Sequence, residues 1–198
     1  MSPSQEHGPG GVVLAAGFSR RMGVPKALLR IGHETFLGHW LAGLESAGVG
    51  QVRVILGRDA AAIRSRHPLP EDQVVVNPAP ERGMLSSLLA GLDRLSPALP
   101  GVLLCPVDHP CVSPGEIRAL LARLSPGRVV VPVHDGRRGH PVLFARELFH
   151  ELRAAPPGVG ARWVVRADPG RVVEVPCGPG VLVNIDTPAD YRRLAELP

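Results

Sequence analysis

Several residue types are scarce in this sequence, and each scarcity argues against a class of protein. Only 4% of the 198 residues are aromatic, and three are cysteine. Cys105, Cys111 and Cys177 are odd in number and lack C-x-x-C spacing, so they indicate neither a disulfide framework nor a cysteine zinc site. No apolar stretch approaches the roughly 20 residues that cross a bilayer, and residues 1–10 lack the basic start and apolar centre of a signal peptide. We therefore expect a cytoplasmic protein that does not enter a membrane.

Lysine is the scarcest charged residue, because Lys26 is the only one among 22 lysines and arginines. The formal net charge is +4, and the basic residues are spread along the chain without a basic tract. This distribution argues against a nucleic-acid partner and favours anionic small molecules as ligands. The sequence is 44% hydrophobic and contains 22 prolines and 23 glycines, which is typical of a globular protein with many turns.

Short valine-rich runs alternate with helical patterns along the chain. The runs are continuous rather than alternating, which is typical of strands that are covered on both faces. The predicted strands are residues 12–16, 52–56, 74–76, 102–105 and 129–133. The predicted helices are residues 36–47, 84–95, 113–124 and 187–196, the last two of which begin with capping sequences.

This alternation predicts the fold class. Strands that alternate with helices imply right-handed crossovers, and hence an α/β protein with a mostly parallel central sheet and helices on both faces. After residue 133 the rhythm changes: residues 134–141 are loop-like and residues 142–144 form a short predicted strand. We expect this part to be a small antiparallel excursion over the carboxyl edge of the sheet. We also expect residues 1–10 to be a disordered tail and residues 11–198 to be a single domain.

The end of the first predicted strand is the most informative segment. It runs into Ala15, Ala16 and Gly17, and Arg20 and the single lysine follow within ten residues. In an open α/β sheet, ligands bind beyond the carboxyl ends of the strands, and exposed amides with nearby cations attract phosphates. Neither the P-loop pattern nor the dinucleotide-binding fingerprint is matched by the glycine and lysine spacing. The segment predicts a phosphate-binding loop of another kind, with a simple glycine turn as the alternative.

The segment from Leu14 to Lys26 matches L-A-A-G-x-S-x-R-M-G-x-x-K without a gap. In this it resembles the nucleotidyltransferases of molybdenum-cofactor synthesis, being most like the molybdopterin cytidylyltransferases and related to the guanylyltransferases of that pathway. Further matches extend to Tyr191. The resemblance implies a Rossmann-like nucleotidyltransferase fold. It also implies transfer of a nucleoside monophosphate from a nucleoside triphosphate to a phosphorylated acceptor, with release of pyrophosphate.

The resemblance assigns roles to the residues of this segment. Arg20 would bind the β- and γ-phosphates, Lys26 would lie near the α-phosphate, and the backbone amides between them would surround the triphosphate. The expected nucleotide-binding residues are Leu14, Ala15, Ala16, Gly17, Ser19, Arg20, Arg21, Met22, Gly23, Lys26, Asn77, Gly83 and Ser87. In the related guanylyltransferases the strand usually ends Leu-Ala-Gly-Gly, so the methyl group of Ala16 is expected to narrow the floor of the base pocket and to favour CTP over GTP.

Two carboxylates complete the expected catalytic site. Asp108 follows an apolar strand in the D-x-P context that the family uses for a metal ligand, and it would act with Arg20 and Lys26 in catalysis. Asp186 lies in Asn-Ile-Asp-Thr-Pro-Ala-Asp, which resembles the closing motif of the family. Oxygen ligands and bound phosphates suit magnesium, so Mg²⁺ is the expected cofactor. A turn or helix-capping role is the alternative for either aspartate.

The acceptor is expected beside Gly139 and His140, which match the G-H-P-V of the family, with His109 as a third acceptor-binding residue. Molybdopterin is the acceptor that the resemblance favours, and a molybdenum enzyme could receive the product. Residues 157–162 keep the second half of the family's G-D-x-G-A-R but lack its aspartate, which leaves the acceptor open. The alternatives are transfer to a sugar or polyol phosphate, and a non-catalytic nucleotide-binding accessory protein for a molybdenum enzyme.

Overall fold

The computed structural model describes residues 8–156 and 158–194. In it, helices cover both faces of the continuous apolar strands. The strands are β1 (Gly10–Ala15), β2 (Arg30–Ile31), β3 (Glu34–Thr35), β4 (Val52–Leu56), β5 (Val74–Val76), β6 (Gly101–Pro106), β7 (Val129–His134), β8 (Arg137–Arg138), β9 (Val142–Ala145) and β10 (Val172–Pro176). The helices are α1 (Phe36–Ser46), α2 (Ala60–Arg66), α3 (Met84–Leu92), α4 (Pro114–Leu121), α5 (Phe149–Ala154), α6 (Arg162–Ala167) and α7 (Pro188–Leu194).

Eight of the strands form one sheet in the order β10-β7-β9-β6-β1-β4-β5, with β8 paired to β7. Strands β6, β1, β4 and β5 are mutually parallel, and β7 and β10 are parallel to each other. Strand β9 is antiparallel to both β6 and β7, between which it lies. Strands β2 and β3 form a separate antiparallel hairpin. The predicted α/β fold with a mostly parallel sheet is therefore confirmed.

Both faces of the sheet are buried, which explains why the strands read as continuous apolar runs. In β1, Val13 and Ala15 belong to a core cluster formed with α1, α2, α4 and α7, whereas Val12 and Leu14 belong to a second cluster formed with α3, α5 and α6. Successive side chains of a strand point to opposite faces, so each strand supplies both clusters. None of the helices in the described ranges combines the length and the apolar character that a membrane-spanning helix requires.

Local capping interactions set the helix starts that the sequence predicts. Ser113 and Glu116 form a capping box at α4, and the Asp190 carboxylate accepts hydrogen bonds from the backbone amide and hydroxyl of Thr187, both at 2.8 Å, at the start of α7. Helices α3 and α4 each end three residues earlier than predicted. Helices α2, α5 and α6 are six or seven residues long, too short to show helical periodicity in the sequence.

Two expectations need correction. The antiparallel excursion does not lie over the edge of the sheet, because β9 is inserted within it and completes the backbone hydrogen bonding of β6 and β7. The predicted tail also ends too late, since Pro9 is buried and Gly10 begins β1. The rest of the predicted tail, residues 1–7, lies outside the described residues, as do residues 195–198, which include the end of the last predicted helix.

Candidate active site at the carboxyl edge of the sheet

Strands β1 and β6 are parallel neighbours, so the loops that follow them meet at one edge. The amide of Val107 donates to the carbonyl of Leu14 over 3.1 Å, which joins the two strand ends. A cavity of about 280 Å³, here called the charged cavity, lies at this edge. It is lined by Leu14, Ala15, Gly17, Phe18, Ser19, Arg20, Arg21, Pro25, Lys26, Ala27, Val107, Asp108 and Asp186. Most of the residues predicted for the triphosphate and the metal therefore meet in one place.

Ser19 determines the shape of the loop after β1. Its φ of 45° is in the left-handed region, and its carbonyl accepts hydrogen bonds from the amides of Met22 and Gly23 at 2.9 and 3.1 Å. Its hydroxyl accepts a hydrogen bond from the backbone amide of Lys26 over 3.1 Å. Met22 packs against the core below the loop. These contacts turn the chain back on itself and bring the lysine side chain over the end of β6.

The side chain of Lys26 joins the two predicted metal ligands. Its Nζ lies 3.0 Å from Oδ2 of Asp108 and 2.6 Å from Oδ1 of Asp186, and Nη2 of Arg21 lies 3.3 Å from the same Oδ1. Hydrogen bonding to Lys26, opposed in part by burial, lowers the pKa of Asp186 below its ordinary value. The amide of Ile185 donates to the carbonyl of Asp108 over 2.9 Å, which holds the C-terminal segment against the β6 loop.

The donor set fits a metal that is shared with substrate phosphates. Across residues 8–156 and 158–194, no group of three or more histidine, cysteine or acidic side chains could hold a metal ion by itself. Asp108 and Asp186 nevertheless direct one oxygen each at the same ammonium group. Magnesium is often held by one or two carboxylates together with substrate phosphates and water. Lys26 would have to release at least one of its contacts for a second cation to bind these oxygens.

A larger cavity, of about 670 Å³, lies on the α3 and α6 face of the sheet and is here called the acceptor-side cavity. Gly83, Gly139 and His140 of the predicted site line it. The other lining residues are Arg82, Met84, Leu85, Leu104, Val131, Arg138, Val142, Phe144, Gly158, Val159, Gly160, Ala161, Arg162, Val165 and Arg166. Residues 158–162, from the segment that departs from the G-D-x-G-A-R pattern, therefore form one wall of the cavity that also contains residues of the G-H-P-V motif.

A pair of histidines lies beside the acceptor-side cavity: His140 lines it, whereas His109, the third residue predicted to bind the acceptor, is among the lining residues of neither cavity. The ring centroids of His109 and His140 lie 4.7 Å apart with the ring planes tilted by 60°, and His109 follows Asp108 directly in the chain. Burial lowers the pKa of His109, and burial together with the neighbouring His109 lowers the pKa of His140 to about 4. Both imidazoles are therefore neutral at neutral pH. Among the described residues, neither buried Nδ1 has a hydrogen-bond partner.

Residues 11–172 match the family described as the MobA-like NTP transferase domain. The chain belongs to this family. It is 32% identical to the nicotine blue oxidoreductase of Paenarthrobacter nicotinovorans over 194 residues, which is 93% of this chain and 95% of that protein. It is 35% identical to a molybdenum cofactor guanylyltransferase of Sinorhizobium fredii over 111 residues, which is 56% of this chain and 50% of the relative.

A solved structure agrees over almost the whole chain. The crystal structure of Rv0371c from Mycobacterium tuberculosis H37Rv has a TM-score of 0.88 and 34% identity, covering 96% of this chain and all of that one (100%). A second crystal structure of Rv0371c, a complex with manganese, has a TM-score of 0.77 and 32% identity, covering 96% and 99%. The resemblance to nucleotidyltransferases that the sequence predicts is therefore confirmed at the level of family and fold.

Not every residue predicted for this MobA-like domain lines a cavity. Nδ2 of Asn77 donates to the hydroxyl oxygens of Ser86 and Ser87 over 2.9 Å in each case, and Asn77 and Ser87 are both buried. These contacts hold residues 77–87 in shape beside the acceptor-side cavity. Met22 and Gly23 shape the loop from outside the cavity lining.

Ala16 is another predicted nucleotide-binding residue that is not among the lining residues of either cavity. Its side chain is buried in the apolar cluster on the α3 side of the sheet and does not line the charged cavity. The methyl group therefore packs in the core beneath the loop, and its expected effect on the choice of base stays a prediction. A Cβ on the neighbouring Gly57 would lie only 2.7 Å from the carbonyl oxygen of Ala16, so this part of the edge is tightly packed.

Sequence reasoning missed Phe18 and Arg58. The guanidinium carbons of Arg20 and Arg58 lie 4.9 and 5.4 Å from the centroid of the Phe18 ring, so two cations stack on one aromatic side chain at the edge of the charged cavity. Arg58 follows β4, which is the parallel neighbour of β1. A cation two residues after the end of a predicted parallel strand was the signal that could have identified it.

Proposed function

We propose that this MobA-like domain transfers a nucleoside monophosphate from a nucleoside triphosphate to a phosphorylated acceptor. The observation that carries the proposal is the contact of Lys26 with Asp108 and Asp186 in a cavity also lined by Arg20 and Arg21. An oxygen of the acceptor phosphate forms a bond to the α-phosphorus. The bond from that phosphorus to the β-phosphate oxygen breaks, and pyrophosphate leaves with the electron pair.

The residues of the charged cavity suit this chemistry because phosphoryl and nucleotidyl transfer depend on positioning and on charge neutralisation. Arg20 would bind the β- and γ-phosphates, and Lys26, whose side chain is only 14% exposed, would stabilise charge at the α-phosphate. A magnesium ion held by Asp108 and Asp186 would neutralise phosphate charge and polarise the reacting bond. The manganese complex of Rv0371c supports a divalent ion in this family.

For the donor and acceptor we propose CTP and molybdopterin. Support for CTP comes from the Leu14-Ala15-Ala16-Gly17 ending of β1, which resembles that of the cytidylyltransferases. GTP is the alternative donor, favoured by the relatives that are named molybdenum cofactor guanylyltransferases. Molybdopterin is supported by the same relatives and by the G-H-P-V motif on the acceptor-side cavity. A sugar or polyol phosphate is the alternative acceptor.

The test is pyrophosphate release together with mass spectrometry of the product. The protein is incubated with magnesium, molybdopterin and each of the four ribonucleoside triphosphates in turn, and the Lys26→Ala variant is run in parallel. Arg153→Gln is the matched control, because Arg153 lies on α5, pairs with Asp93 at the end of α3 and is not among the lining residues of either cavity. We expect a molybdopterin dinucleotide and an equal amount of pyrophosphate. Tight triphosphate binding without any product would instead favour a non-catalytic nucleotide-binding protein.

The similarity to nicotine blue oxidoreductase supports a second candidate, since it spans 93% of this chain and 95% of that protein. In that case a dye such as nicotine blue would take up a hydride from a reduced nicotinamide cofactor and a proton from solvent, although the chain does not match the dinucleotide-binding fingerprint. Oxidation of NADPH in the presence of nicotine blue, followed at 340 nm, tests this reaction. Oxidation that survives Asp108→Asn and needs no triphosphate would favour the oxidoreductase function.

A further inference from the structure

The acceptor-side cavity combines an apolar floor with a basic rim. Its floor contains Leu104, Val131, Val142 and Phe144, all of which are buried. Its rim carries the exposed arginines Arg82, Arg138, Arg162 and Arg166. No aspartate or glutamate is among its lining residues in the described part of the chain. The charged cavity differs in this respect, because it contains Asp108 and Asp186, which pair with two of its three basic side chains, Arg21 and Lys26.

The four arginines are not equivalent. Nε of Arg138 donates to Oε1 of Glu174 over 2.8 Å, and Nε of Arg162 donates to the carbonyl of Val159 over 2.8 Å. Within residues 8–156 and 158–194, the side chains of Arg82 and Arg166 form neither an ion pair nor a hydrogen bond. Arg82 precedes α3 and Arg166 lies on α6, so two separate elements bring unneutralised cations to one cavity.

We propose that Arg82 and Arg166 select the acceptor by binding a second anionic group, separate from the attacking phosphate, on a molecule whose body is apolar or aromatic. This inference rests on the proposed nucleotidyl transfer and adds the chemical class of the acceptor. Guanidinium groups form strong charge-assisted hydrogen bonds with anions. The apolar floor disfavours a sugar or polyol body, because its hydroxyl groups would be buried without hydrogen-bond partners.

Dye binding tests the site without depending on turnover. The probes are 8-anilinonaphthalene-1-sulfonate, which is aromatic and anionic, and N-phenyl-1-naphthylamine, which has the same rings without the sulfonate. The Kd of each dye is measured by fluorescence with the wild-type chain, with an Arg82→Gln and Arg166→Gln double variant, and with a control that combines Arg146→Gln and Arg153→Gln. Both control arginines are exposed and lie outside the cavity lining.

We expect the Kd of the sulfonate dye to rise by about tenfold or more in the double variant, since two charge-assisted contacts are lost. The Kd of the neutral dye should be the same for all three proteins. An unchanged Kd of the sulfonate dye in the double variant would overturn the proposal. An equal rise in the Kd of both dyes would also overturn it, because it would mean that the shape of the cavity, and not its charge, was altered.

Displacement of the bound sulfonate dye tests the acceptor class. 6-Carboxypterin is aromatic and anionic, whereas glucose 1-phosphate is an anion with a polyol body. We expect 6-carboxypterin to displace the dye at a concentration at least about tenfold lower; the reverse order would overturn the proposal. The rise in unfolding temperature caused by CTP or GTP with magnesium should be the same in the wild type and the double variant. If the wild type shows no such rise, the proposed nucleotidyl transfer fails while the dye results still decide the acceptor site.

Discussion

The charged cavity and the acceptor-side cavity differ in how their charges are arranged. In the charged cavity, of about 280 Å³, Lys26 and Arg21 contact two carboxylates. In the acceptor-side cavity, of about 670 Å³, the arginines surround an apolar floor that carries no carboxylate among the described residues. The first arrangement suits reacting phosphates and a metal ion, whereas the second suits recognition of a larger anionic molecule. This difference in charge arrangement is the basis for proposing a reacting site in the charged cavity and a selecting site in the acceptor-side cavity.

The largest expected effect is that of Asp108→Asn, which we expect to reduce turnover by roughly 10³-fold or more. The amide is neutral, so it cannot balance Lys26, 3.0 Å away, and it binds a divalent cation more weakly than a carboxylate does. Initial rates of pyrophosphate release measure the effect. Thermal unfolding and triphosphate binding provide the controls, since we expect the variant to fold and to retain some affinity. Normal pyrophosphate release would show that the charged cavity is not the reacting site.

For Asp186→Asn we expect a smaller but clear loss of turnover. Its side chain is more exposed than that of Asp108, 36% against 26%, so water can replace it more readily as a ligand. The two variants should be compared in one assay at the same magnesium concentration. A larger loss in Asp186→Asn than in Asp108→Asn would reverse the assignment of the principal carboxylate.

Lys26→Ala is expected to lower kcat by roughly 10²-fold and to change KM less, because the ammonium acts on charge that forms at the α-phosphate. Lys26→Arg should restore only part of the rate, since a planar guanidinium cannot take the place of a compact ammonium between two carboxylates. Steady-state kinetics with saturating acceptor separate the two parameters. If kcat is unchanged and only KM rises, Lys26 is a general phosphate-binding residue.

The histidine pair should make the protein less stable in mild acid. The pKa of His140 is lowered from 6.5 to about 4, so the neutral form is favoured in the folded state. As pH falls from about 6.5 to about 4, the unfolded chain binds a proton that folded His140 does not. Stability is therefore full above pH 6.5 and decreases below it, by up to roughly 3 kcal/mol.

Comparing His140→Gln with the wild type isolates this contribution. His109 and Asp108 face His140 in the wild type and are retained in the variant, so only the difference between the two stability curves is informative. Urea unfolding at pH 7, 6, 5 and 4 provides those curves. We expect the variant to lose less stability between pH 7 and pH 4. Parallel curves would mean that folded His140 binds protons normally.

The smallest expected effect is that of Ala16→Gly on the choice of base. Because the Ala16 methyl group packs in the core beneath the loop, we expect a loss of about 1 kcal/mol in stability. The ratio of initial rates with CTP and GTP should change by less than about threefold, since less than 0.7 kcal/mol of discrimination is at stake. A shift of tenfold or more toward GTP would restore Ala16 as a determinant of the base. If the wild-type protein reacts faster with GTP than with CTP, GTP and not CTP is the donor.

The parts of the fold that sequence patterns predicted are those that depend on near neighbours in the chain. The five predicted parallel strands and the capping boxes of α4 and α7 are all present. The position of β9 was not predictable, because its three or four apolar residues fit an edge strand as well as a central one. Arg82 and Arg166 were also not predictable as partners, because nothing in their local sequences distinguishes them from other exposed arginines.

The sequence by itself determined the loop from Leu14 to Lys26, since Ser19 makes its shaping contacts within seven residues. It also determined that the strands are covered on both faces, because a continuous run of apolar residues places apolar side chains on both faces of a strand. Only the tertiary structure decided which charges meet. Lys26 contacts Asp108 across 82 residues and Asp186 across 160, and the acceptor-side cavity draws its walls from α3, β6, β7, β9 and α6. Such contacts follow from the order of strands in the sheet, because parallel strands bring their carboxyl ends to one edge however far apart they are in the chain.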